Sequence, residues 1–284
     1  MWTRNGDGSY YPSYGLQVDQ IEPGIYNINR SDMGIIFNPI VVNDESLVPI
    51  GTHSDRILDQ IEIFWTREAT FAKYKIPYKR GFLLYGEPGT GKSCIVRMVC
   101  TDVVKRGGLV LIVDRANMFE AAYSAVRVNH PSIPIVALIE DLDNKAEYDE
   151  EDITNLLDGV GRVHKVVFIA TTNYVSRLSP RIKRPSRFDL WVEVPLPAEA
   201  DRYTYLKHIA QDSDFDLADW ASKTDKFSFA HLKELFLSVQ VFGIPFAEAV
   251  ERVRALGTVV TEDDDDDLDS PTDARPLSAQ IASE

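Results

Sequence analysis

The sequence predicts an α/β fold: a parallel five-stranded sheet sandwiched by helices, followed by a small all-α region. Three observations carry this. From Gly81 onward, short continuous apolar runs alternate with helical spacing, the pattern of a parallel sheet covered on both faces. Between the first apolar run and the first of these helices lies Gly86-Glu87-Pro88-Gly89-Thr90-Gly91-Lys92-Ser93, a turn in the G-x-x-x-x-G-K-[ST] pattern. After Pro195-Leu196-Pro197 the strand-like runs stop and helical spacing takes over.

Each element has its own signal. Residues 1 to about 20 are polar and rich in Tyr and Gly and read as flexible. Residues 21–50 hold short β-prone runs, Gly24 to Ile28 and Gly34 to Val42, broken by Pro and Gly; they predict a small β-hairpin region. Over 54–75, Ile57, Ile61, Phe64 and Trp65 fall at helical spacing behind Ser54, a candidate N-cap, and Pro77 ends the helix. Strands are predicted at 81–85, 109–113, 134–139, 166–170 and 190–194, and helices at 92–105, 117–127 and 151–157. The segment 198–257 reads as several helices, including His231 to Val241 and Pro245 to Ala255. Residues 261–284 carry nine acids against one base, too much charge and too little apolar surface to fold. The expected organisation is an N-terminal region with short β elements (1–50), an α/β core (51–195), a helical lid (196–260) and an acidic tail (261–284).

Composition narrows the class. A hydrophobic content of 44% is ordinary for a globular protein. No apolar run approaches the roughly 20 residues that span a bilayer, and the N-terminus has no signal-peptide apolar core. Cys94 and Cys100 are the only cysteines and point to different faces of one helix, so a reducing cytoplasmic setting is expected, with no membrane partner. Of the net charge of −14, the tail holds −8 and the rest −6. A mildly acidic body argues against a large nucleic-acid face, although a local basic groove is compatible with it.

Four motifs carry chemistry. The first is the phosphate loop, Gly86, Glu87, Pro88, Gly89, Thr90, Gly91, Lys92 and Ser93, flanked by the apolar run 81–85 and by a helix that continues through Cys94. Its glycines let the backbone approach phosphates, and loop amides with the helix N-terminus form an anion site. The context is that of a P-loop NTPase: Lys92 reaches the β- and γ-phosphates of ATP, and the Ser93 hydroxyl binds Mg²⁺. The second is the run from Ile133 to Asp143, in which the apolar strand 134–139 delivers Glu140 and Asp141 at its carboxyl end. Ligands of open α/β sheets sit there, and such acids hold the metal shell or polarise attacking water. The third is the strand 168–172 ending in Asn173, an amide able to bond water or γ-phosphate, or simply a turn residue. The fourth is Arg184-Pro185-Ser186-Arg187, either surface charge or arginines that stabilise a transferring phosphoryl group.

The ordered set KRGFLLYGEPGTGKS, ALIEDLD, FIATTN and LSPRIKRPSRFDLWVEVPLP resembles the AAA+ ATPase family, and FSFAHLKEL at 227–235 resembles its lid-helix motif. The resemblance runs from about Gly51 to about Gly257. It implies that Glu140 is the metal-side carboxylate, Asp141 the water-activating one, Asn173 the sensor, and Arg184 and Arg187 fingers acting on a neighbour's ATP. It also implies a homo-oligomeric ring, most often hexameric, acting on a protein substrate that the sequence does not name. Most members end the second motif Asp-Glu. The reversed Glu140-Asp141, followed by Asn155-Leu156-Leu157-Asp158-Gly159-Val160, resembles the branch of the mitochondrial Rieske-protein translocase, without its transmembrane helix. Ala230-His231 stands where other branches carry a lid arginine. The segment between the second strand and Glu140 is short for the family. Its Met118-Phe119 pair is expected in the core, two to one over a role gripping polypeptide. Two alternatives stay open: a nucleic-acid-associated ATPase of the helicase- or initiator-loader type, and a nucleotide-gated assembly scaffold with little turnover.

Overall fold

The computed structural model of the chain describes residues 2–4, 6–12, 20–32, 34–41, 53–158, 163–211 and 215–265. Residues 13–19, the end of the predicted 34–42 run, the Ser54 side chain, Gly159-Val160 and the tail from 266 lie outside the described residues. The chain divides into two compact units, 1–230 and 231–284.

The first unit is built on a nine-stranded sheet in the order β1-β2-β4-β3-β6-β7-β8-β5-β9. Its heart is the five predicted strands: β5 (Lys79–Tyr85), β6 (Leu109–Ile112), β7 (Ile135–Ile139), β8 (Val166–Thr172) and β9 (Leu190–Glu193), all parallel. Every residue of β7 and β8 is buried, which is why their sequences are unbroken apolar runs rather than alternating ones.

Strand alternation sorts the core into two layers. On one face Leu83, Leu111, Ala137, Ile139, Phe168 and Ala170 pack with α4 (Ala116–Asn129) and α5 (Leu142–Asp158). On the other, Phe82, Leu84, Val110, Val136, Val167 and Ile169 pack with α1 (His53–Thr66) and α3 (Lys92–Lys105).

The N-terminal elements do more than form a hairpin. β3 (Gly24–Ser31) and β4 (Gly34–Pro39) pair antiparallel as expected, and β3 also pairs in parallel with β6, with Tyr26 opposite Leu111. β1 (Trp2–Arg4) and β2 (Tyr10–Pro12) continue the sheet beyond β4. Trp2 is fully buried against Phe37, and its Nε1 donates to His130 Nε2 at 3.0 Å. This region covers β6, which would otherwise be an exposed apolar edge.

Two predicted helices need correction. The run 54–75 is two helices, α1 and α2 (Glu68–Tyr74), broken at Arg67, and α2 ends on Lys75 in left-handed backbone (φ 55°). The helix predicted at 151–157 begins at Leu142 and kinks at Asp149 (φ −140°); its first half is mostly polar and charged and so shows no apolar period. Phe119 is fully buried against Phe168, and Met118 packs on the same cluster.

α6 (Glu199–Ala210) and α7 (Leu217–Lys223) close the first unit. The buried Arg202 guanidinium spans them, donating to the carbonyls of Pro197 and Ala221 at 2.9–3.1 Å. The second unit holds most of α8 (Phe229–Gln240) and α9 (Phe246–Asp265). Among its described residues, Leu232, Leu235, Ala249, Val250 and Val253 are the buried apolar ones. α9 runs into the first residues of the acidic stretch. Among the described residues no helix is long and apolar enough to cross a membrane.

The packing makes a direct comparison possible. Phe119→Ala should lower the unfolding free energy by about 3–5 kcal/mol. Tyr148→Ala, at a side chain 89% exposed, should change it by no more than about 0.5 kcal/mol. Urea titration of both variants checks this.

Candidate nucleotide site

The site lies at the carboxyl edge of β5, β7 and β8, and register brings it together. Tyr85 of β5 stands opposite Thr172 of β8, and Ile139 of β7 opposite Ala170. β7 thus ends two residues short of β5 and β8, so Glu140 leaves the sheet level with Thr171, while Gly86 and Asn173 leave it just beyond, all at the same carboxyl edge. This edge of an open parallel sheet is where ligands bind.

The loop from 86 to 91 is held by its backbone. Gly86, Gly89 and Gly91 have φ of 149°, 75° and 102°, a region that non-glycine residues rarely enter. A Cβ on Gly86 would run into the Val194 carbonyl, and one on Gly89 would meet Ser228 and Ala230 at 2.7 Å. Thr90, 2% exposed, donates its hydroxyl to the Glu87 carbonyl at 2.9 Å. Lys92 is buried, and its Nζ donates to the carbonyls of Gly86 and Glu87 at 2.7 and 2.8 Å. Burial lowers the Lys92 pKa, while the charges of Asp141, Asp143 and Glu87 pull it back up. α3 starts directly at Lys92, with Gly91 as N-cap and no side-chain cap, so its first amides remain available for an anion.

A cleft of about 400 Å³ is lined by Pro88, Gly89, Gly91, Lys92, Ser93, Glu140, Asp141, Thr171 and Asn173. Eight of these nine were expected from sequence; Thr171 was not. Gly86, Glu87 and Thr90 do not line it but shape the loop, and Cys94 is in α3 outside it. Asp141 holds left-handed backbone (φ 50°), which Asp tolerates better than most residues. Its amide donates to Thr171 Oγ1 at 3.2 Å.

The arginines separate. Arg184 is exposed. Arg187 is buried and closed into its own chain: Nε and Nη2 donate to the two Asp158 oxygens, each at 2.7 Å, and Nη1 donates to the Arg181 carbonyl. Within this single chain the bidentate carboxylate engages the Arg187 guanidinium, whereas Arg184 faces solvent. Neither arginine lines the cleft of its own chain.

Comparison with known proteins bears on this geometry. Residues 82–196 match the model of the ATPase family associated with various cellular activities (AAA). They form an AAA ATPase domain. Relatives of this AAA domain include 26S proteasome regulatory subunit 10B homolog A of Arabidopsis thaliana, 25% identical over 248 residues, covering 79% of this chain and 61% of that protein. Proteasome-activating nucleotidase 1 of Haloferax volcanii is 27% identical over 256 residues, covering 78% and 63%. ATPase family gene 2 protein of Saccharomyces cerevisiae is 31% identical over 163 residues, covering 51% and 21%. The chain thus spans about three fifths of the proteasome-type relatives.

Asp158 is the partner to remove. Its hydrogen bond from Arg187 holds its pKa below the usual 3.8, so the pair stabilises the fold above that value and is lost as pH falls through the lower folded pKa. Asp158→Asn should cost about 1–3 kcal/mol at pH 7, because Arg187 stays buried with a weakened partner. The gap from wild type should begin to narrow only as pH falls below 3.8 and close once pH has passed the lower folded pKa. Urea unfolding across pH measures both.

Proposed function

We propose that this chain binds Mg-ATP in the cleft and hydrolyses it to ADP and phosphate. It does so as a subunit of a homo-oligomeric, hexamer-type ring in the cytoplasm that remodels protein complexes. One observation carries the reading: Lys92, Ser93, Glu140, Asp141 and Asn173, from three separate strand ends, line one cleft.

The loop amides and the start of α3 suit a polyphosphate, and phosphate oxygens would take over the Lys92 ammonium from the Gly86 and Glu87 carbonyls. The Ser93 hydroxyl and the Glu140 carboxylate are hard oxygen donors on the same cleft, which fits Mg²⁺, an ion that needs few protein ligands beside phosphate. When bound, the ion neutralises charge on the β- and γ-phosphates. Asp141 takes the proton of water as its oxygen bonds the γ-phosphorus and the bond to the bridging oxygen breaks, releasing ADP. Asn173 orients that water. Asp141 is one methylene shorter than the usual Glu, so this chemistry needs close approach and favours slow turnover.

The trans finger falls to Arg184, since Arg187 is committed to Asp158. A protein substrate is favoured by the relatives, two of which are named for the proteasome. Burial of Phe119 fits the core role expected for the Met118-Phe119 pair and speaks against the alternative of a gripping aromatic in the 114–132 segment. That favours folded partners over threading, as does the Glu140-Asp141 order of the translocase branch.

Mixing variants tests the shared site. Lys92→Ala and Arg184→Ala should each lower ATP turnover by about 10³-fold or more. Mixed rings should recover part of it, because only there does an intact cleft meet an intact finger. A mixture as inactive as its components, in stably mixed assemblies, rules the shared site out.

A further inference from the structure

Two threonines of the FIATTN run, given no role by the motifs, stand at the end of β8. Successive strand residues point to opposite faces. Thr171 therefore lies on the cleft side, where its hydroxyl oxygen accepts the Asp141 amide at 3.2 Å. Thr172 lies on the α5 side and is fully buried; its hydroxyl donates to Asp143 Oδ1 at 2.7 Å. The same oxygen accepts the Tyr174 amide at 3.1 Å. Asp143 is 3% exposed, in the first turn of α5, two residues past Asp141.

One hydroxyl thus joins two segments. On one side it grips the start of α5, which continues directly from Asp141. On the other it grips the backbone just beyond Asn173. Apolar packing would bury the same volume without the desolvation of a carboxylate. What the hydrogen bonds add is direction and a set distance between two elements. The phosphate loop is anchored separately, through Lys92 and Thr90.

We propose that Thr172 and Asp143 are positioning residues that hold Asn173 in register with Asp141. This rests on the hydrolytic reading above. Neither residue lines the cleft. Breaking the tie leaves nucleotide binding to the loop intact and loosens only the groups that align water. The loss therefore appears in kcat and not in KM.

The test is steady-state ATP hydrolysis by the full chain as wild type, Thr172→Val and Thr172→Ser. Thr172→Val should lose about 10–100-fold in kcat with KM held within about twofold, and Thr172→Ser should restore kcat. Unchanged kcat in Thr172→Val overturns the proposal, as does a parallel loss of kcat and nucleotide affinity that Ser does not rescue. Should Thr172→Val misfold, Thr172→Val with Asp143→Leu removes both polar partners together, which a core tolerates better. The double variant should show the same kcat loss, and wild-type kcat there contradicts the proposal. If wild type turns over no ATP, the hydrolytic reading fails while amide exchange still judges the tie. Exchange at Tyr174 should speed up at least about tenfold in Thr172→Val as its bond opens; equal exchange overturns it.

Discussion

The register between β7 and β8 is the constraint on which the rest depends. Both strands are buried on both faces, so their pairing cannot slip by one residue without turning apolar side chains to the wrong layer. With Ile139 fixed opposite Ala170, the first polar residues on each strand must leave the sheet at one level. Glu140 and Asp141 come from one side, and Thr171, Thr172 and Asn173 from the other. β5 pairs with β8 over seven residues and brings the phosphate loop to the same edge. The polar site is the point where three apolar strands run out together.

Backbone conformation then does what side chains alone could not. Gly89 and Gly91 turn the loop so that Lys92 begins a helix while its ammonium folds back on the Gly86 and Glu87 carbonyls. Asp141 takes a left-handed turn that starts α5 at once, and Thr171 caps its amide. The charges of Asp141 and Asp143 favour the ammonium form of Lys92 against the cost of its burial. The cleft thus places a buried cation between a loop made for anions and a carboxylate pair, so a polyphosphate and a divalent ion would each meet a complementary charge.

Much of this was legible in the sequence because its signals are local. The phosphate loop declares itself through glycines at fixed spacing, and α3 appeared at 92–105, as expected. The strands of the core were legible because burial on both faces leaves continuous apolar runs. The features that escaped depend on distant partners. Arg187 reads as a free arginine until Asp158, 29 residues away, is folded onto it. Thr171 and Thr172 read as ordinary strand formers, since nothing in a linear run says which face each hydroxyl meets. Asp143 was hidden as the third acid in a charged run. The first half of α5 shows no apolar period because polar and charged residues fill most of it, and the pairing of β3 with β6 joins segments some eighty residues apart.

The central claim is that Asp141 turns a nucleotide-binding cleft into a hydrolytic one. Asp141→Asn is the direct probe, because Asn keeps the left-handed backbone and the shape while removing the base. Particle mass and ATP hydrolysis should be measured together, with and without Mg-ATP, for wild type and this variant. Mg-ATP should assemble both proteins, wild type should release phosphate, and Asp141→Asn should assemble but stall. Equal turnover by the two proteins, or assembly of wild type with no turnover at all, contradicts the claim.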